Sequence, residues 1–154
     1  MKNKNLLSNQ ISFIVGYLKE LGFSIIGLHH HSIEDLTKLN VPTAETANRT
    51  RLWMAILNEA DYVIAVDTAA FHCAGGLKKP TLGVFSFVNG LVYGKYYPNI
   101  EILQGPCPLS YQGCYNWSLC PVDSSPKPCI LGITEDMLKE SINKLLERFP
   151  LSDK

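Results

Sequence analysis

Neither sign of charge predominates in this chain of 154 residues: fourteen Lys and Arg balance fourteen Asp and Glu. A neutral chain has no electrostatic basis for wrapping nucleic acid or coating an anionic membrane, so no nucleic-acid partner is expected. Lys2 and Lys4 are read as a solvated start. Long apolar runs are missing too. The stretch from Ile11 to Leu28 is broken by Ser12, Lys19, Glu20 and Ser24, and a membrane span needs about 20 mainly apolar residues. Asn and Gln interrupt what would be the apolar core of a signal peptide, and no cleavage site follows. A cytoplasmic location is the expectation. No internal repeat is present. Tight C-x₂₋₄-C spacing, the mark of structural zinc, is absent as well.

What is present is globular. Hydrophobic residues make up 46% and charged residues 18%, a composition that buries a core and is unlike that of a disordered tail. The length suits one domain over residues 1–154. Ile11, Ile14, Val15, Leu18 and Leu21 share one face of a helix over Asn9–Leu21, and Gly22 is placed to end it. Phe23–Leu28 reads as a short buried strand. Leu52, Trp53, Ile56 and Leu57 repeat the helical pattern over Thr50–Glu59. The β-branched run Tyr62–Val66 is a strand, followed by a turn at Asp67-Thr68 and a small helix closed by Gly75-Gly76. Thr81–Phe85 is a third strand. A last helix spans about 134–149, capped by Thr134, with Leu138, Ile142, Leu145 and Phe149 on its buried stripe.

Continuous apolar strands alternating with amphipathic helices predict a mostly parallel sheet covered on both faces, a Rossmann-like α/β domain of three layers. Between about residues 98 and 130 the texture turns to proline, cysteine and aromatics without periodicity. An irregular excursion on the sheet edge is expected there.

In such a sheet, ligands bind outside the carboxyl ends of the strands. Asp67 occupies that position, directly before a helix whose first backbone N–H groups favour an anion. Its carboxylate can accept hydrogen bonds from sugar hydroxyls or simply cap the helix; spacing alone leaves the two uses even.

The run from Ala60-Asp61 through Val66-Asp67-Thr68-Ala69-Ala70-Phe71-His72 to Gly75-Gly76, then Lys79-Pro80-Thr81 to Phe85, resembles the signature of the ADP-heptose:lipopolysaccharide heptosyltransferases, glycosyltransferase family 9. Those enzymes carry an Ala-Asp before a strand, an Asp-Ser/Thr-Gly-Pro-x-His turn, an alanine-rich helix and a Gly-Lys-Pro-Thr strand entry, in that order. The resemblance implies the C-terminal, donor-binding half of a GT-B enzyme, in which two Rossmann-like halves face across a cleft. It implies that Asp67 and Thr68 contact the sugar or diphosphate of an ADP-sugar and that the backbone N–H groups of Ala69 and Ala70 steady the leaving phosphates. His72 would face the ligand or brace the loop. Glu34 lies where the family sets a carboxylate against the ribose. No resident cofactor is implied. The family's general base belongs to the other half, so no catalytic residue is assigned; a separately encoded acceptor-binding half, a fragment of a longer chain and a relic kept for binding or assembly are the three readings this leaves.

The chain departs from the family at Ala69-Ala70, where the family has Gly-Pro, and at Ser86-Phe87-Val88, where it has Gly-Pro-Thr. It also begins at what should be the domain's first helix, so the strand before that helix is expected to be missing. An edge left by it would invite pairing as a homodimer.

Two other readings stand beside this one. A binding module without catalysis would explain the lost glycines. A small zinc-stabilised protein would use Cys107, Cys114, Cys120 and Cys129, whose gaps of six, five and eight residues lie in the irregular segment; two disulfides are the alternative for the same thiols. His29-His30-His31 is read as a polar lip at a strand end, since adjacent residues point opposite ways and do not converge on one ion. Tyr93, Tyr96, Tyr97, Tyr111, Tyr115 and Trp117 either stack on a ligand or, for most of them, fill a satellite core.

Overall fold

The computed structural model describes residues 5–29, 34–46, 49–107 and 128–151. Helix α1 (Ser8–Glu20) buries Ile14 and Val15 and ends at Gly22, whose φ of 85° suits glycine. Strand β1 (Gly27–His29), helix α2 (Glu34–Lys38) and strand β2 (Thr43–Glu45) follow. Helix α3 (Thr50–Glu59) covers the predicted span and buries Trp53 and Leu57. Next come strand β3 (Val63–Val66), helix α4 (Ala69–Gly76), strand β4 (Thr81–Phe85) and helix α5 (Gly90–Gly94). Strand β5 (Ile100–Gln104), helix α6 (Pro128–Leu131) and helix α7 (Glu135–Arg148) complete the order. Thr134 caps α7 by accepting a hydrogen bond from the Met137 N–H.

Every ladder among the described residues is parallel. Strands β3, β4 and β5 form one sheet in that order, with Val63 opposite Thr81 and Thr81 opposite Ile100. Strands β1 and β2 form a second, separate pair, Gly27 opposite Thr43. All five residues of β4 are buried, because helices cover both of its faces. Leu82, Val84 and Leu103 point into a core with Ile14 of α1, Ile130 of α6, and Leu138, Ile142 and Leu145 of α7. Val63, Ala65, Phe85 and Ile100 point the other way, onto Trp53 and Leu57 of α3 and Phe71 and Ala74 of α4. The alternation is the period of two that a strand imposes, and the result is the three-layer α/β fold expected.

Two local expectations need correcting and a third is met in part. The strand predicted over Phe23–Leu28 reduces to Gly27–His29, because β2 offers only three residues to pair with. Gly76 is the last residue of α4, as expected, but the left-handed turn that follows falls on Lys78 at φ 59° and not on a glycine. Gly75 answers to packing: a Cβ there would lie 2.6 Å from the Tyr97 ring. Finally, Ile100–Gln104, inside the stretch expected to be irregular, is a sheet strand.

Candidate functional site

The carboxyl ends of β3, β4 and β5 open on one side of the sheet, and three connections line it: Asp67-Thr68, Ser86–Asn89 and Gly105–Cys107. Asp67 is half-buried in the first. Thr68, extended at φ −146° and ψ 174°, is the N-cap residue of α4, yet its side chain makes no capping bond. Its hydroxyl turns back and donates to the Val66 carbonyl at 3.2 Å. The first-turn amides of a helix have no partner within the helix, and those of Ala69 and Ala70 follow Asp67 and Thr68 directly in the chain. Both alanines are helical and neither takes positive φ. Replacing the family's Gly-Pro therefore strains nothing here.

His72, one turn into α4, is half-buried among aromatics. Its Nδ1 lies 3.3 Å from the Tyr97 hydroxyl. The rings of Phe71, Tyr93 and Tyr97 stand 5.2, 6.0 and 6.1 Å from its own, and Phe71 meets Phe85 edge-on at 4.9 Å. Edge-to-face packing of this kind fixes ring orientation. Tyr93 and Tyr97 thus pack into the core on the α4 side, whereas Tyr96 is 76% exposed.

The second connection is fixed by a residue that sequence reasoning passed over. Gln104, last in β5, accepts from the Gly90 N–H at 2.8 Å and donates to the Ser86 carbonyl at 2.7 Å. Asn89 accepts from the Leu91 N–H at 3.0 Å. Both leading amides of α5 are therefore occupied by side chains. Val88 is buried and Phe87 packs against the Phe71–Phe85 core.

Glu34 belongs to the β1–β2 pair, on the helix that joins its two strands. It opens α2, is 85% exposed and pairs with Lys38 at 3.7 Å, an exposed pair of small energetic weight. His29 closes β1, while His30 and His31 lie outside the described residues. Of the four clustered cysteines, Cys107 is half-buried and Cys129 buried. Cys114 and Cys120 lie outside the described residues, as do Tyr111, Tyr115 and Trp117. Gly105 packs directly on the Cys129 carbonyl, which brings the two ends of the intervening segment together. Among the described residues no three His, Cys, Asp or Glu side chains gather as metal ligands, and no helix is long and apolar enough to cross a membrane.

A parallel sheet covered on both faces, with a helix N-terminus and a carboxylate at its carboxyl edge, defines a Rossmann-like domain of the kind found in GT-B glycosyltransferases. The solved structure of E. coli ADP-heptose lps heptosyltransferase II matches 96% of this chain with a TM-score of 0.68, at 10% sequence identity. The chain spans 43% of the length of that enzyme. No family model and no curated protein matches the sequence.

Proposed function

We propose that the chain is the donor-binding, C-terminal half of a heptosyltransferase-type glycosyltransferase and holds an ADP-sugar at the Asp67–His72 turn. The observation that carries this reading is the position of Asp67 at the carboxyl end of β3, directly before the first turn of α4, which the Thr68 side chain does not cap. A nucleotide diphosphate needs donors aimed at its oxygens, and a helix N-terminus supplies them with a favourable dipole. A sugar needs acceptors for its hydroxyls, and the Asp67 carboxylate is one. The Thr68 hydroxyl, its proton committed to Val66, has lone pairs left to accept another. His72, fixed by Tyr97, braces the helix that presents these groups.

In the transfer reaction an acceptor hydroxyl attacks the anomeric carbon as the nucleoside diphosphate leaves. The amides of Ala69 and Ala70 would hold the charge that develops on the departing phosphate. No residue of this chain is assigned to remove the acceptor's proton. The partner is therefore an acceptor-binding half, and the setting is cytoplasmic synthesis of lipopolysaccharide or a related glycan.

Calorimetric titration with ADP, ADP-heptose and UDP-sugars, alongside Asp67→Ala, tests the reading. Saturable binding of an ADP-sugar, weakened at least about tenfold in the variant (the loss of one charge-assisted hydrogen bond), is expected. A folded wild-type protein that binds none of them would refute it.

A further inference from the structure

Charge follows the usual order along α2 and α7 and runs against it in α3. Helix α7 opens on Glu135 and Asp136 and closes on Arg148, and α2 opens on Glu34 and Asp35 and closes on Lys38. Carboxylates at the amino end and cations at the carboxyl end complement the helix dipole. Helix α3 is reversed. Arg49 is its N-cap residue, Arg51 stands in its first turn with no acidic residue beside it, and Glu59 ends it. Both arginines are exposed, and among the described residues no carboxylate pairs with either.

The same helix end is short of hydrogen-bond acceptors. Its first internal bond runs from the Trp53 N–H to the Arg49 carbonyl at 3.0 Å, so the amides of Thr50, Arg51 and Leu52 come before it. The Arg49 side chain has only donors and caps none of them, whereas Thr134 and Asn89 cap α7 and α5. Thr46, the residue after β2, has no solvent exposure, and its hydroxyl has no hydrogen-bond partner. An unbonded buried hydroxyl weakens a fold. The Thr46 carbonyl accepts from the Arg49 N–H at 3.0 Å, which holds Thr46 one turn away from the amides that open α3.

One ligand answers all three anomalies. We propose that the N-terminus of α3, at the carboxyl end of β2, is an anion site separate from the Asp67–His72 turn, and that it takes a phosphate group. Arg49 and Arg51 supply positive charge and guanidinium donors. The amides of Thr50, Arg51 and Leu52 supply further donors with a favourable dipole. The Thr46 hydroxyl gains the acceptor it lacks. These donors outnumber the two oxygens of a carboxylate, and a phosphate offers at least three. The group is either free phosphate or the terminal phosphate of an ester, and the same donors recognise both.

The test is a titration of the full 154-residue chain with inorganic phosphate and, separately, with glycerol 3-phosphate, against chloride at equal ionic strength. It is followed by amide NMR and by thermal melting. Phosphate should shift the amides of Thr50, Arg51 and Leu52 saturably and raise the melting temperature. Arg51→Gln, an exposed change, should weaken binding by about tenfold. Thr46→Val keeps the side-chain shape and removes the hydroxyl. In chloride it should melt no lower than the wild type, because the lost group had no partner, while its response to phosphate falls. Response to the ester as well marks a phosphate carried on a larger molecule; response to phosphate alone marks the free ion. Four results would overturn the proposal: no saturable shift at the three amides, equal shifts in chloride, a Thr46→Val variant that melts lower in chloride, or an Arg51→Gln variant that binds like the wild type. The amides read here belong to α3, so failure is distinct from failure of the donor-binding reading, which is read at Ala69 and Ala70.

Discussion

Single side chains tie distant parts of this chain together, and two of them give sharp expectations. The Tyr62 hydroxyl donates to the Phe149 carbonyl, joining the start of β3 to the end of α7. Tyr62→Phe should cost about 1 kcal/mol in urea denaturation, the usual net worth of one hydrogen bond. Burial, and secondarily the Asp61 charge, raise the Tyr62 pKa above the ordinary value of 10.0. The folded state therefore holds this proton more tightly than the unfolded one. The contribution is complete below pH 10 and is lost as pH climbs through the raised folded value, so the Phe variant should show a flatter alkaline limb. Gly75 and Gly76 make a second contrast. Gly75→Ala drives a methyl into the Tyr97 ring, while nothing lies within 4 Å of a Cβ at Gly76. Gly75→Ala should destabilise by about 1–3 kcal/mol. Gly76→Ala should be neutral or stabilise by up to about 1 kcal/mol through helix propensity, and thermal melts of the two variants compare them directly.

Elements differ in how plainly their residues announce them. Helix α7 and helix α3 have one apolar stripe each, and both were legible to within a residue. Strand β4, an uninterrupted apolar run after Pro80, was equally plain. Strand β5 was hidden because two of its five residues work outside the core: Glu101 pairs with Arg148 at 3.8 Å, and Gln104 clamps the loop. Strand β2 has three residues, too few to display a period. In the candidate site the Asp67-Thr68 turn was readable as a strand end before a helix. Gln104 and Tyr97 were not, since they act on Gly90 and His72 across 14 and 25 residues, and a contact made by the fold leaves no spacing in the sequence. The clamp itself is testable. Gln104→Leu removes partners of the Gly90 amide and the Ser86 carbonyl. It should cost about 1–3 kcal/mol and speed exchange at Gly90 while leaving the β3–β4 amides protected; unchanged exchange at Gly90 would show that the loop is ordered by other means.

At the scale of the whole molecule, the alternation of short apolar strands with amphipathic helices specified the three layers. The sequence pattern did not reveal that the strands divide into a pair and a triplet, because the division lies in which edges meet. The candidate site belongs to the triplet: Asp67, the α4 amides and the Ser86–Asn89 loop all stand at its carboxyl edge, while Glu34 belongs to the pair. An ADP-sugar bound as proposed would engage the triplet's edge first. The most direct measurement is therefore a titration of isotopically labelled protein with ADP-heptose, following every assigned amide by NMR. The account predicts saturable shifts concentrated at Asp67, Thr68, Ala69 and Ala70, with smaller ones at Ser86–Val88 and none on the outer face of α7. Shifts absent at those four amides, or scattered over the surface without saturation, would contradict it.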